Sequence, residues 1–223
     1  MPLQLRPATE GDFLTLGRIS KRAFPHASGL LFPTHLRQGT SSPTNISDDD
    51  DEVRWRAARM LSRWKLGSPA YVVVDVSGGS GDPSNKEEVV VGFAQWQEPG
   101  VKDPLKARGG APHLLPATLD QDLIADLMER LPSEEKKAME GYETADMYYL
   151  LMLAVDPSHQ RRGVGKMLLR HGIDQATAEG KKVYLTATPE GKPLYLSHGM
   201  KQTGEFDLFG ISNYVMVYDK ECS

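Results

Sequence analysis

Four basic side chains, Arg161, Arg162, Lys166 and Arg170, fall between Pro157 and Ile173 with no acid among them, in a chain of formal net charge −4. Gly163 and Gly165 stand inside the same stretch. Cations beside glycines suit an anion, because a residue without a Cβ lets the backbone come close to a ligand. Val164 and Leu168 are four apart, as are Leu169 and Ile173, which is the spacing of a helix face. The first turn of a helix has backbone N–H groups without intrahelical partners, and its dipole adds partial positive charge there. A phosphate satisfies both. The chemistry read from Gln160-Arg161-Arg162-Gly163-Val164-Gly165-Lys166 is therefore the holding of a phosphorylated ligand.

The elements that must position this loop are legible on either side. Tyr148 to Val155 is a near-continuous apolar and aromatic run, as expected of a strand buried on both faces. Pro157 cannot donate to a ladder, so pairing should stop there. Gly180 is a helix stop just past the last periodic residue, Ala176. A lone Gly-x-Gly also opens ordinary surface helices. The preceding strand, the breaker and the acid-free basic run set this one apart.

Gln160-Arg161-Arg162-Gly163-Val164-Gly165 resembles the Q/R-x-x-G-x-G/A signature of the GCN5-related N-acetyltransferase (GNAT) superfamily. Leu153-Ala154-Val155-Asp156-Pro157 resembles the strand that precedes it. Leu194-Tyr195-Leu196-Ser197-His198-Gly199-Met200 is similar to the L-Y-x-x-x-G-F element, with Met200 where the family has Phe. The well-matched part runs from Tyr148 to Phe206.

The resemblance implies an α/β (α+β) fold, with a mixed, mostly antiparallel central sheet flanked by helices and splayed central strands. It implies acetyl-CoA as cosubstrate and acyl transfer to an amine by direct attack on the thioester. Leu153, Ala154 and Val155 would lie along the pantetheine, with backbone bonds from Leu153 and Val155. The N–H groups of Arg161, Arg162, Gly163, Val164, Gly165 and Lys166, after Gln160, would hold the pyrophosphate. Tyr195 would contact the cosubstrate and act as general acid, giving the departing thiolate a proton; a phenol donates at neutral pH. Glu98, just past the strand ending at Trp96, is a candidate base; Glu143, Asp146 and His113 are others. His198 and His159 have structural explanations beside functional ones. Trp96, Trp55, Phe24, Phe32 and Tyr142 could line an acceptor pocket, though Trp55 and Trp96 read as core.

At 223 residues the chain suits one domain spanning 1–223, with long loops at about 25–46 and 98–117. Hydrophobic residues make up 39% and charged ones 25%, as in a soluble globular protein. No apolar run nears the roughly 20 residues that span a bilayer, so no membrane is expected. The N-terminal residues lack the apolar core of a signal peptide. The lone cysteine, Cys222, excludes an internal disulfide and fits a reducing compartment, cytoplasmic or nuclear. The acidic balance argues against general nucleic-acid binding. A monomer or homodimer is expected.

Along the chain, Leu3-Gln4-Leu5-Arg6 alternates as a first strand. Residues 8–12 supply capping groups for a helix from about Phe13 to Phe24. Residues 25–46 read as a loop with at most a short helical turn. The acid run Ser47-Asp48-Asp49-Asp50-Asp51-Glu52 reads as a helix N-terminus near its dipole rather than a metal site, because no spaced ligand pattern follows. That helix runs through Trp55, Met60 and Trp64 to about Leu66. Strands are expected over 70–76 and 88–96, joined by a polar loop over 77–86. The pattern predicts a helix over 119–131 and a second attempt over 133–139. It also predicts a strand over 182–187, a short helix over 192–198, and a closing hairpin over 202–208 and 213–218.

The leading functional reading is an N-acetyltransferase acting on the primary amine of a small molecule. The alternatives are a protein or peptide N-acetyltransferase and a non-catalytic acyl-CoA-binding module. A nucleotide-phosphate domain ranks low, for the stretch lacks the Gly-Lys-Ser/Thr ending of a P-loop and the third glycine of a dinucleotide fingerprint.

Overall fold

A computed structural model of the chain describes residues 3–36, 51–76, 88–101 and 115–220. In order, the elements are β1 (Leu3–Pro7), α1 (Phe13–Ala23), α2 (Pro25–Leu31), α3 (Asp51–Lys65), β2 (Ala70–Asp75), β3 (Val89–Gln97) and α4 (Gln121–Ala138). Then come β4 (Tyr148–Val155), α5 (Val164–Ala178), β5 (Val183–Ala187), α6 (Lys192–Leu196), β6 (Lys201–Leu208) and β7 (Ile211–Tyr218). The strands form a sheet ordered β1-β2-β3-β4-β5-β7-β6. Every neighbouring pair is antiparallel except β4 and β5. This is the expected mixed, mostly antiparallel sheet with helices on both faces. Among the described residues no helix is long and apolar enough to cross a membrane.

The splay lies between β4 and β5. They pair only through Tyr148 with Val183 and Tyr149 with Tyr184, and then separate. The separation begins beside an irregularity in β4. Gln95 pairs with Met152 and Trp96 with Leu150, so Leu151 has no residue opposite it on β3. Such a bulge sharpens local twist and re-aims side chains. Tyr148 and Leu150 pack toward α5, and Leu153 and Val155 do so again further on. Tyr149 and Leu151 face away from α5, as do Met152 and Ala154. Leu151 and Met152 therefore share a face although they are consecutive.

The helix α5 lies flat on one face of the sheet. Val164, Leu168, Leu169, Ile173 and Ala176 are buried there against Leu150, Leu185 and Trp96. The approach is close enough that a Cβ on Gly172 would sit 2.1 Å from the Trp96 ring. On the other face, α1 and α3 cover β2 to β4, and α4 covers the β4–β5–β7 side.

Two sequence expectations change here. The segment after Pro25 is a seven-residue helix, α2, where a loop was expected. Pro25 takes the first helical position, for which its fixed φ is suited. Its buried side chain is Ser28, which carries no apolar period. Arg56 of α3 pins this helix, donating to Ser28 Oγ at 3.2 Å, to Ser20 Oγ of α1 at 3.1 Å and to Glu52 at 2.9 Å. The predicted pair of helices around Pro132 is one helix, α4, with Pro132 inside it. A mid-helix proline costs about 3 kcal/mol. Two bonds onto the carboxylate of Glu135, one turn later, offset that, since bonds to charged groups contribute about 1.5–3 kcal/mol each.

Residues 37–50, 77–87 and 102–114 and Cys222 lie outside the described residues, and with them His113, most of the acid run and the 77–86 loop. Residues 98–101 and 115–117 form turns and irregular backbone, as expected.

Candidate active site

The loop expected to hold phosphate, Gln160 to Lys166, lies between β4 and α5. Asp156 anchors its start, accepting from Ser158 N at 3.1 Å and Ser158 Oγ at 2.6 Å, and pairing with Arg22 of α1. Burial alone would raise the Asp156 carboxyl. The Ser158 bonds and the Arg22 charge outweigh it and hold the group below its usual range. Arg161 (φ 64°) and Gly163 (φ 87°) both sit in left-handed backbone, which turns the chain into the helix. No side chain among the described residues caps that helix start, and its first backbone bond runs from Met167 N to Gly163 O. The N–H groups of Val164, Gly165 and Lys166 thus lack helical partners.

The two glycines have different reasons. Gly163 meets nothing nearby but needs its positive φ. Gly165 sits where a Cβ would come 3.3 Å from Leu194 and 3.7 Å from Val155, so it seats α5 against α6 and β4. The sequence reading gave both the task of admitting the anion. The basic residues also divide. Arg162 bonds Asp75 of β2 at 2.7 Å and ties the loop to the sheet. Arg170 lies 3.6 Å from Asp174. Arg161 and Lys166 are exposed and make no ion pair among the described residues. Gln160 donates to the Val155 carbonyl at 3.4 Å.

From this loop the gap runs along β4. Beyond Tyr149, the β5-side backbone of β4 has no strand partner, and Leu151, Met152, Leu153 and Val155 are only half-buried. Tyr195, on α6, belongs to the α5-side cluster with Leu185 and Val164. It is 7% exposed, and burial pushes its hydroxyl well above the usual range. Among the described residues no charge or hydrogen bond counters that push, so the phenol stays protonated at neutral pH. Three residues on, His198 Nδ1 lies 2.8 Å from the Leu194 carbonyl, which fits a structural role. His159 Nδ1 lies 2.8 Å from Ser158 Oγ.

Glu98 is exposed, one residue past β3. Its charge acts on Tyr148, whose hydroxyl donates to Glu179 at 2.8 Å, just past the C-terminal end of α5. Asp146 pairs with Lys181. Trp55 and Phe32 are buried against each other at 5.6 Å between ring centroids, and Trp96 is buried on α5, so these three are core.

The face away from α5 holds a polar group that the sequence reading did not find. Glu135 of α4 is 4% exposed. It accepts from Tyr149 of β4 at 2.8 Å and from Thr186 of β5 at 2.6 Å, so it bridges the two strands where they part. The Tyr149 and Tyr184 rings meet, tilted, across the last paired position with centroids 4.6 Å apart. Opposite Tyr149 stands Gln97, and opposite Met152 stands Gln95. They are 5% and 1% exposed, and the side-chain oxygen of each is buried with no hydrogen-bond partner among the described residues. One signal for Glu135 was present: Ile124, Leu127, Leu131, Glu135 and Ala138 follow helical spacing, which puts an acid on an inward stripe. Breaking the helix at Pro132 hid it.

The model of the acetyltransferase (GNAT) family matches residues 84–200. An acetyltransferase from Stachybotrys chartarum is 28% identical over 226 residues, covering 96% of this chain and 90% of that protein. Among solved structures, a histone acetyltransferase HPA2 and related acetyltransferase from Corynebacterium glutamicum superposes with a TM-score of 0.57 at 21% identity, over 98% of this chain and 97% of its own. Arabidopsis thaliana NAA60 in complex with acetyl-CoA gives 0.52 at 16% identity, over 99% of each chain. The PaiA N-acetyltransferase from Thermoplasma acidophilum in complex with coenzyme A gives 0.52 at 13%, over 98% and 99%. At these identities the structural likeness is one of fold.

Proposed function

The chain belongs to the acetyltransferase (GNAT) family, and on that premise we propose that it transfers an acetyl group from acetyl-CoA to the primary amine of a small molecule. The observation that carries the reading is the uncapped start of α5 beside the gap between β4 and β5. The N–H groups of Val164, Gly165 and Lys166 take the pyrophosphate, with Arg161 and Lys166 adding screened attraction. Leu153, Ala154 and Val155 lie along the pantetheine.

The amine nitrogen bonds the acetyl carbonyl carbon, the carbon–sulfur bond breaks, and its electron pair leaves on the CoA sulfur. The sulfur takes one proton, which Tyr195 supplies. The ammonium form of the acceptor loses two protons, so one reaches solvent overall. An alkylamine has a pKa of about 10, so it must lose the first before it can attack. Two carboxylates flank the start of the gap, Glu98 on the α5 side and Glu135 on the other, and the base goes with the acceptor's face.

A small acceptor is favoured over a protein because α2 and the start of α4 lean together. Asp120 N bonds the Leu31 carbonyl at 2.8 Å, and Phe32 packs on Leu119. The single cysteine suits a reducing compartment, the cytoplasm first. The test is CoA thiol release across a panel of amines, with acetyl-CoA binding followed by calorimetry and by the rise in melting temperature. Acetyl-CoA binding without thiol release from any amine would turn the reading into that of a binding module.

A further inference from the structure

We infer that the acceptor is bound as an ammonium ion by Glu135 and the side-chain oxygens of Gln97 and Gln95, on the face of the gap opposite the one that holds CoA. The inference rests on the reading just given and deepens it by naming the acceptor's recognition site.

The three residues come from β3 and α4, yet they share one face beside the splay. Consecutive same-face positions of β3 supply Gln95 and Gln97, and the pairing of Gln97 with Tyr149 sets it beside the phenol that donates to Glu135. A directly paired residue lies within side-chain reach across a strand pair. Met152 and Leu151 stand next along β4 on this face, put there together by the bulge.

The chemistry is one-sided. Gln95 spends its amide nitrogen on the Met60 carbonyl at 2.9 Å and leaves its oxygen unused. Gln97 also buries an unused oxygen. Tyr149 and Thr186 spend their hydroxyl protons on Glu135. Beside the Glu135 carboxylate the cluster holds two amide oxygens without donors among the described residues, and buried acceptors of that kind are rare enough to need an explanation. A primary ammonium has three donors and no acceptor, which complements this set. A neutral alcohol of the same shape brings one donor and no charge. The half-buried Leu151 and Met152 beside the cluster suit an apolar body behind the ammonium.

The site also places the two proton transfers on opposite sides of the sheet. Tyr195 lies on the α5 face with CoA, and Glu135 lies on the other with the amine. Glu135 takes the first proton from the bound ammonium nitrogen, which then carries the free electron pair that bonds the acetyl carbon. The proton passes on to solvent.

The test compares the full-length wild type with Glu135→Gln and Gln97→Leu, using phenethylamine, lysine and spermidine as probes and 2-phenylethanol as the neutral counterpart. Binding of each probe to the CoA complex is followed by calorimetry, and acetylation by thiol release. Glu135→Gln should lower acceptor kcat/KM on the order of 100-fold and shrink the preference for phenethylamine over 2-phenylethanol, since a charge-assisted bond of this kind is worth one to two powers of ten. Acetyl-CoA affinity should stay within about threefold. Gln97→Leu keeps similar volume without the buried amide. It should raise acceptor KM about tenfold at unchanged acetyl-CoA affinity, and it decides the matter if Glu135→Gln does not fold. Failure of the wild type to bind any of the three amines, or unchanged acceptor kcat/KM in the folded variants, overturns the inference. Failure of the wild type to bind acetyl-CoA overturns the donor reading instead, so the two failures are separable.

Discussion

The two faces of the β4–β5 gap are built by different means. On the α5 face, the groups proposed to hold the ligand are backbone N–H groups of one loop, Gln160 to Lys166, set by left-handed residues and an uncapped helix start. On the other face the proposed groups are side chains from four separate elements: Gln95 and Gln97 on β3, Glu135 on α4, Tyr149 on β4 and Thr186 on β5. A backbone grip is local and nearly indifferent to side-chain identity except at glycine. A side-chain grip is assembled across the chain and can be re-specified one residue at a time. If the proposed sites hold, the difference separates a grip suited to a common donor from one suited to a particular acceptor.

Substitutions on the two faces should separate cleanly. The largest effect is expected of Tyr195→Phe, which removes the proposed proton donor and should lower kcat on the order of 100-fold with acetyl-CoA affinity nearly unchanged. Full turnover at the optimal pH would show that the phenol only packs. Next, Gly163→Val forces a β-branched residue to φ 87°. That conformation costs an L residue about 1–2 kcal/mol, so acetyl-CoA Kd should rise about tenfold while acceptor KM holds. A change in acceptor KM instead would blur the two faces.

The arginines offer a smaller contrast. Arg161→Ala should weaken acetyl-CoA binding a few-fold, an effect that fades as salt is raised. Arg162→Ala should lower the melting temperature, because Arg162 ties the loop to the mostly buried Asp75. Smallest is the acid response of Asp156. Its carboxyl is more acidic folded than unfolded, so the stability it adds is present above pH about 3.9 and is lost as pH falls through the folded value. Asp156→Asn should therefore flatten the drop in melting temperature between pH 5 and pH 3.

What was legible follows the same division. The loop proposed to hold phosphate could be read because its pattern is written in seven consecutive residues, Gln160 to Lys166, between a breaker and a helix period. The strands of the sheet were readable from β-branched runs such as Tyr71-Val72-Val73-Val74. Glu135 was not, because its meaning depends on Tyr149 and Thr186, which only the fold brings near. Pro132 argued locally for a helix end and lost to tertiary anchoring. The helix α2 was missed for a related reason: its anchor is Arg56, 28 residues away from Ser28. The roles of Gly165 and Arg162 were likewise invisible, since each is set by a neighbour from another element.

The unpaired Leu151 sets a limit on how this chain can change length. Removing Leu151 itself would only close the bulge and leave Met152 to Val155 opposite their present partners, but inserting one residue after Met152 would turn every later residue of β4 to the opposite face. Leu153 and Val155 would leave the helix they pack on, and the loop that follows would start from the wrong side of the sheet. The outer connections, such as the turn at Phe209 and Gly210, face no such constraint. Over evolutionary time, insertions and deletions should accumulate in the connections and be purged from β4, where a single codon decides which side of the sheet each group serves.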